Sequence, residues 1–372
     1  MALTKIFILT FQCALNYGAI LQAYALQNIL NRYGYDAEIY NYRPISIVTP
    51  YIPQFQKSTI SGFLHSNSKI KYFLKIPISM FQFYCLGNMI KINSYKEFYK
   101  KYLKLQCIAN VPNSIIVLGS DQIWNPRLTN WDKTYFFSNY PKGNAKVISY
   151  AASIGNDHST QEELDFLREN IKNVDCISVR EETAQKVLSS ICDKPITTVL
   201  DPTLLLKSTD IELQRLISDN KYGKYILLYQ MSDDPNTLKI CRHISKLLKL
   251  KIVEVLAYPF GRHNLNFHKH ISTAGPAEFV TLFAHAQYVV TSSFHGTAFS
   301  LIFNKQFVTV AHPASGSRQR DLLARIDLSD RVVSSVDNLP ASDIDYSVVN
   351  AKLDAERRKS FDFLEKALGL SD

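Results

Sequence analysis

Hydrophobic positions along this chain fall into two alternating kinds. Short aliphatic or β-branched runs predict buried strands at Lys5 to Phe11, Ile115 to Leu118, Val147 to Ala151, Cys176 to Val179 and Thr197 to Leu200. Between them lie stretches with apolar residues three and four apart, the spacing of a helix. Ala19 to Tyr33 is the clearest, with Ile20, Leu21, Tyr24, Leu26, Ile29 and Leu30 on shared faces. A second series follows with strands at Tyr225 to Gln230, Lys251 to Leu256, Tyr288 to Thr291 and Phe307 to Val310, and helices near Asn236 to Leu248 and Pro276 to Ala286. Such alternation builds parallel sheets with crossover helices. The pattern predicts an α/β protein of two Rossmann-like domains facing a cleft. They are expected over 1–200 and 201–345, with the boundary near Asp201-Pro202-Thr203, and a last helix within 346–372 packs back across them. A chain of 372 residues is long enough for two cores.

Charge sharpens one region. The formal net charge is +9, yet residues 44–106 hold nine lysines and a single acid, Glu97, so this segment supplies eight of the nine. It also carries twelve aromatics, among them Phe63, Tyr72, Phe73, Phe81, Phe83, Tyr84, Phe98 and Tyr102. So local an excess argues against nucleic acid as a partner. It predicts a basic, aromatic helical insertion in the first domain that meets an anionic membrane surface, where lysines and aromatic rings both gain. Lys75, Pro77 and Gly87 interrupt its apolar stretch and argue against a spanning helix. The six cysteines form no C-x-x-C pair, and the apolar start is too short for a secretory signal, so a cytoplasmic protein, peripheral to the inner face of the membrane, is expected.

Candidate chemistry gathers where strands end, because ligands of open α/β sheets bind outside the carboxyl ends of the strands. Polar groups stand there in Asn16-Tyr17-Gly18, Gly119-Ser120-Asp121-Gln122, Ser153-Ile154-Gly155, Arg180-Glu181-Glu182 and Ser292-Ser293-Phe294-His295-Gly296. In the last of these an apolar strand breaks into polar residues and resumes as an apolar helix over Thr297 to Asn304. His295 sits at the junction, and Gly296 lets another group approach the backbone closely. No G-x-G-x-x-G follows the first strand and no P-loop motif occurs, which disfavours dinucleotide and P-loop chemistry. His263, His268 and His270 lack a partner carboxylate at ligand spacing, so no metal site is expected.

Five segments in order carry a resemblance. They are Asn16 to Gln27 (N-Y-G-A-I-L-Q-A-Y-A-L-Q), Gly119 to Asn125 (G-S-D-Q-I-W-N), Ser178-Val179-Arg180-Glu181, Leu200-Asp201-Pro202-Thr203 and Ser293 to Ser300 (S-F-H-G-T-A-F-S). Together they resemble the polysaccharide pyruvyl transferase family. The resemblance implies two Rossmann-like domains in a GT-B-like arrangement. It implies transfer of pyruvate from phosphoenolpyruvate to two hydroxyls of a sugar as a cyclic ketal, with release of phosphate, in the building of capsules and other surface polysaccharides. The implied acceptor is a galactose-type residue of a lipid-linked saccharide, and no cofactor is implied. Many members that resemble this chain carry an arginine two residues before the histidine, where this sequence has Ser293.

Such a reaction delivers a proton to the donor methylene, creates an oxocarbenium centre for a hydroxyl to attack, expels phosphate and closes the ring through a second hydroxyl. Histidine serves as acid or base near neutral pH, so His295 is the first catalytic candidate and Asp121 the second, orienting or deprotonating the acceptor hydroxyl. The donor's carboxylate and phosphate suit arginine forks. Arg180 follows a strand directly, and Arg318 or Arg320 is expected to replace the cation missing at Ser293, beside a helix N-terminus that favours phosphate. Asn16, Tyr17, Gly18, Gln22, Ser120, Ser293, Gly296 and Thr297 complete the expected substrate-binding set, and Trp124 offers an apolar face to a sugar ring. Two other readings stay open at this point, a GT-B-type glycosyltransferase using a nucleotide sugar and a non-catalytic membrane-surface binding module.

Overall fold

The computed structural model describes residues 5–48, 88–107, 114–155, 158–232, 234–257, 269–311 and 316–370. Five strands, β1 (Lys5–Leu9), β2 (Asp36–Tyr40), β3 (Leu105–Gln106), β4 (Ile115–Leu118) and β5 (Lys146–Ser149), form a parallel sheet in the order β3-β2-β1-β4-β5. Backbone bonds joining Ala152 to Ser178 and Arg180 extend it through β6 (Ile177–Val179), which pairs with β7 (Ile196–Thr198). A second parallel sheet holds β8 (Tyr225–Tyr229), β9 (Lys251–Val255), β10 (Lys269–Ile271), β11 (Tyr288–Thr291) and β12 (Gln306–Thr309) in the order β10-β9-β8-β11-β12. Both sheets thus wind outward over three strands and then reverse to the far side of the first. Each reversal opens a crevice, at the carboxyl ends of β1 and β4 in one sheet and of β8 and β11 in the other.

Nine helices of eight or more residues among the described residues cover the sheets. They are α1 (Tyr17–Arg32), α2 (Asn88–Tyr102), α3 (Gln161–Asn170), α4 (Glu182–Ser189), α5 (Pro235–Leu248), α6 (Pro276–His285), α7 (Phe294–Ile302), α8 (Ser317–Arg325) and α9 (Tyr346–Leu368). α1 is buried on nearly every side because it fills the space between the first sheet and the second half of the chain. Asn16 caps it, its Oδ1 accepting from the N–H groups of Gly18 and Ala19 at 2.9 and 3.2 Å. The expected turn at Asn16-Tyr17-Gly18 is therefore already helix from Tyr17 onward, because the asparagine satisfies the first free donors.

The basic segment is not wholly an insertion. Its exit, α2, buries Lys91, Tyr95, Phe98 and Tyr99, and β3 closes the edge of the first sheet. Residues 49–87 lie outside the described residues. One apolar core joins the two halves, with Ile8, Tyr17 and Tyr24 from the first and Tyr225, Val253 and Phe279 from the second. α9 touches both: Ser360 Oγ accepts from the Leu200 N–H at 2.9 Å, Tyr33 donates to Glu365 at 2.8 Å, and the Tyr346 hydroxyl donates to the Lys305 carbonyl.

Candidate active site

The two crevices face one cavity of about 660 Å³. Phe11, Asn16, Asp121 and Gln122 line it from the first half, and Met231, Ser293, His295, Arg318 and Gln319 from the second. These positions follow β1, β4, β8, β11 and β12, as the winding of the sheets requires.

His295 is the second residue of α7, two residues earlier in the helix than the sequence pattern placed its start. Ser293 occupies the N-cap without a side-chain bond to the helix, so the first turn keeps free donors toward the cavity. His295 is 6% exposed, and its imidazole lies against Gly18, where a Cβ would come within 1.9 Å of Nδ1. Glycine at 18 is what lets α1 and α7 meet. Gly296, one residue after the histidine, lets α7 lie against the end of β11, since a Cβ there would come within 2.0 Å of Thr291 Oγ1.

Behind His295 lies a buried polar cluster centred on Asp201. Its Oδ2 accepts from Ser120 Oγ at 2.8 Å and Arg180 Nη1 at 2.9 Å, and lies 3.7 Å from His295 Nε2. That last separation is too long for a formed hydrogen bond, and Nε2 has no other partner among the described residues. Burial alone would raise the Asp201 carboxyl, but His295, Arg180 and Thr203 hold it well below the usual carboxylate range. Arg180 is buried too, with its guanidinium 4.4 Å above the Phe294 ring, 3.7 Å from Asp121 and 3.8 Å from Glu181. Burial works against its charge, and the three acids more than restore it. Burial raises Glu181 above the ordinary glutamate range, although Arg180 and a 2.7 Å bond from Ser153 pull the other way.

Asp121 reaches the cavity from a left-handed backbone, φ 81°, with its Oδ1 accepting from the Gln122 N–H at 2.9 Å. Of the two arginines proposed to replace the cation absent at Ser293, Arg318 lines the cavity and Arg320, two positions further along α8, does not. Residues 312–315 just before them lie outside the described residues.

Several expected binding residues hold the site rather than line it. Gln22 is fully buried, and its amide donates to Thr10 and to the Ala19 carbonyl, both at 2.8 Å. Tyr17 crosses to the other half, donating to the carbonyls of Leu256 and Ala274 at 3.3 and 3.1 Å. Ser120 serves Asp201, Thr297 bonds back to the Ser293 carbonyl at 3.2 Å, and Arg180 stands behind the lining. Trp124 is buried and stacked on Phe136. His270 does find a carboxylate, Glu254 at 2.7 Å across the β9–β10 pair, while His263 and His268 lie outside the described residues. No group of three metal-ligating side chains occurs among the described residues. Asp201 and Gln319 were not among the sequence candidates. The sequence marks Asp201-Pro202-Thr203 as a domain boundary; Asp201 caps Pro202–Leu205 through one oxygen, and the second left no trace in the pattern.

The model of the family described as polysaccharide pyruvyl transferase matches residues 16–313, and the chain belongs to that family. The fold is α/β, with two similarly wound parallel sheets. Similar solved structures include a UDP-GlcNAc 2-epimerase of Methanocaldococcus jannaschii in complex with UDP-GlcNAc and UDP, at 12% identity and TM-score 0.44, covering 99% of each chain. A UDP-N-acetylglucosamine 2-epimerase of Rickettsia bellii matches at 10% identity and TM-score 0.45, covering 99% of this chain and 96% of the other. A sucrose-phosphate synthase of Thermosynechococcus elongatus matches at 11% identity and TM-score 0.40, covering 99% and 100%. No curated protein matches the sequence.

Proposed function

We propose that this transferase moves pyruvate from phosphoenolpyruvate onto two hydroxyls of a sugar as a cyclic ketal, releasing phosphate. The observation that carries the reading is the join at Gly18 and His295, which sets a buried imidazole from one half against the first turn of α1 from the other, at the wall of a shared cavity. His295 is the acid that protonates the donor methylene, and Asp121 receives the acceptor hydroxyl. Arg318 and the uncapped first turns of α7 and α8 bind the donor's anionic groups. Arg180 adds positive potential from behind the wall. Nothing in these steps calls for a cofactor.

The acceptor in this reading is a lipid-linked saccharide, met where the basic segment touches an anionic leaflet. No helix among the described residues is long and apolar enough to cross a membrane. Incubation with phosphoenolpyruvate and a galactose-containing lipid-linked saccharide is expected to release phosphate and add the mass of a pyruvate ketal, with His295→Ala inactive. Release of a nucleotide from a sugar nucleotide, with phosphoenolpyruvate inert, would overturn the reading. For the membrane, replacing Lys57, Lys69, Lys71 and Lys75 with Gln is expected to weaken binding to phosphatidylserine vesicles by about 1 kcal/mol per lysine. Unchanged binding would remove that surface from the model of action.

A further inference from the structure

Asp201 sits where the two halves meet, and its two oxygens have different work. Oδ1 accepts from the Thr203 N–H at 3.0 Å and the Thr203 hydroxyl at 2.7 Å, which starts the short helix Pro202–Leu205. Oδ2 collects Ser120 and Arg180 from the first half and points at His295 of the second. A buried carboxylate beside an imidazole nitrogen that has no hydrogen-bond partner among the described residues is a costly arrangement unless the two come together. Catalytic hydrogen bonds commonly tighten only around the reacting complex. We propose that Asp201 is a positioning residue that accepts the Nε2–H of His295 and so commits Nδ1 to proton exchange in the cavity.

The assignment, which rests on the transfer reaction proposed above, follows from how an imidazole divides its labour. The bond made by one ring nitrogen decides the state of the other. With Nε2–H held by an anion, Nδ1 carries the mobile proton. Nδ1 is the edge that lies against the backbone of Gly18, and the ring as a whole lines the cavity. In the reaction the Nδ1–H bond breaks as a C–H bond forms on the donor methylene from its π pair. A neutral imidazole and a cationic carbon remain. The acceptor oxygen then bonds to that carbon, and its proton returns to Nδ1. The second hydroxyl displaces phosphate, which leaves with the C–O bonding pair and takes up that hydroxyl's proton. Asp201 stays ionised throughout. The other charges around the pair are Arg180, Asp121, Glu181 and Arg318, with the Tyr150 hydroxyl also near Asp201. Arg180 shares Oδ2, so it fixes the carboxylate in place while competing for its charge.

The test reads the imidazole directly. In ¹⁵N NMR of the full chain, neutral His295 is expected to carry its proton on Nε2, with Nδ1 unprotonated. In Asp201→Asn the neutral imidazole is expected to lose its preference for Nε2–H, with Nδ1–H becoming populated. Turnover should fall with it, kcat dropping about 10²-fold with little change in KM. A wild-type proton on Nδ1, or an unchanged tautomer in a folded Asp201→Asn, overturns the proposal. The wild-type tautomer decides the matter even where the variant fails to fold. Because it is read without substrate, absence of pyruvyl transfer would sink the proposed reaction and leave the tautomer result standing.

Discussion

Two glycines decide whether His295 has a place to be. A methyl group at Gly296 would meet Thr291 Oγ1, a buried atom that already donates to the Tyr229 carbonyl at 2.6 Å, so neither side has room to yield. Gly296→Ala is expected to destabilise the protein by about 1–3 kcal/mol, the range for overpacking, as read from urea denaturation. Gly18→Ala strikes the imidazole itself and is expected to remove activity with a smaller loss of stability. A greater loss of stability than of turnover would place Gly18 in the framework alone. Among the cations, Arg318→Ala is expected to raise the Michaelis constant for phosphoenolpyruvate about tenfold or more, since a charge-assisted bond is worth roughly 1.5–3 kcal/mol, and Arg320→Ala to leave it unchanged. Equal effects would show that both reach the donor. His295 and Arg318 were legible in the sequence because a strand end followed by polar residues is visible as a pattern. The hub at Asp201 was not, since its partners Ser120, Arg180 and His295 are brought together from three distant strand ends.

Among the elements, α2 makes the most unusual contact. Lys91 is fully buried with no carboxylate beside it among the described residues, its ammonium donating to the carbonyls of Leu256 and Ala257 at 2.8 and 3.3 Å and standing 4.4 Å over the Tyr17 ring. Burial lowers this lysine from 10.5 to about 7. The unfolded chain therefore holds a proton that the folded chain has released between about pH 7 and 10.5. Stability rises with pH where the unfolded state binds more protons, so Lys91 makes the fold sturdier as pH climbs through that window. Lys91→Met is expected to flatten the rise in melting temperature between about pH 7 and pH 9. A slope equal to that of the unaltered protein would show that Lys91 stays charged. The sequence pattern placed α1, α5, α6 and α9 closely and missed α3, α4, β2, β3 and β10. β3 and β10 are short, and β2, though as long as β1, alternates polar Asp36 and Glu38 with apolar residues, so it gains its place from pairing with β1 rather than from its own composition. Lys91 itself reads in sequence as one of the nine lysines of the basic, membrane-facing segment. Only packing across the halves reveals it as interior.

At the scale of the whole molecule, the repeated winding of the sheets was legible from the alternation of runs, while the seam between them was not. Tyr17 stacks on Phe279 with centroids 4.4 Å apart, Tyr229 meets both rings, and Lys91 caps the group from α2. Aromatic pairs add about 0.5–1.5 kcal/mol each beyond their buried area. Parting the halves would expose all of them along with the two tyrosine hydroxyl bonds. Calorimetry is therefore expected to show one transition, with the van't Hoff and calorimetric enthalpies equal. Two resolved transitions would show that the halves melt independently.

The same seam bears on how such a chain can be cut or recombined. A fold with two similarly wound sheets invites treatment as a pair of modules, each to be expressed alone or grafted onto a foreign partner. Here the first helix of one half finishes the apolar interior of the other, and α9 returns from the far end of the chain to stitch both. A fragment ending before β8 would carry half an interior, with Tyr17 facing water. Exchange of specificity in this protein is a matter for the loops around the cavity, since the halves themselves form a single inheritance.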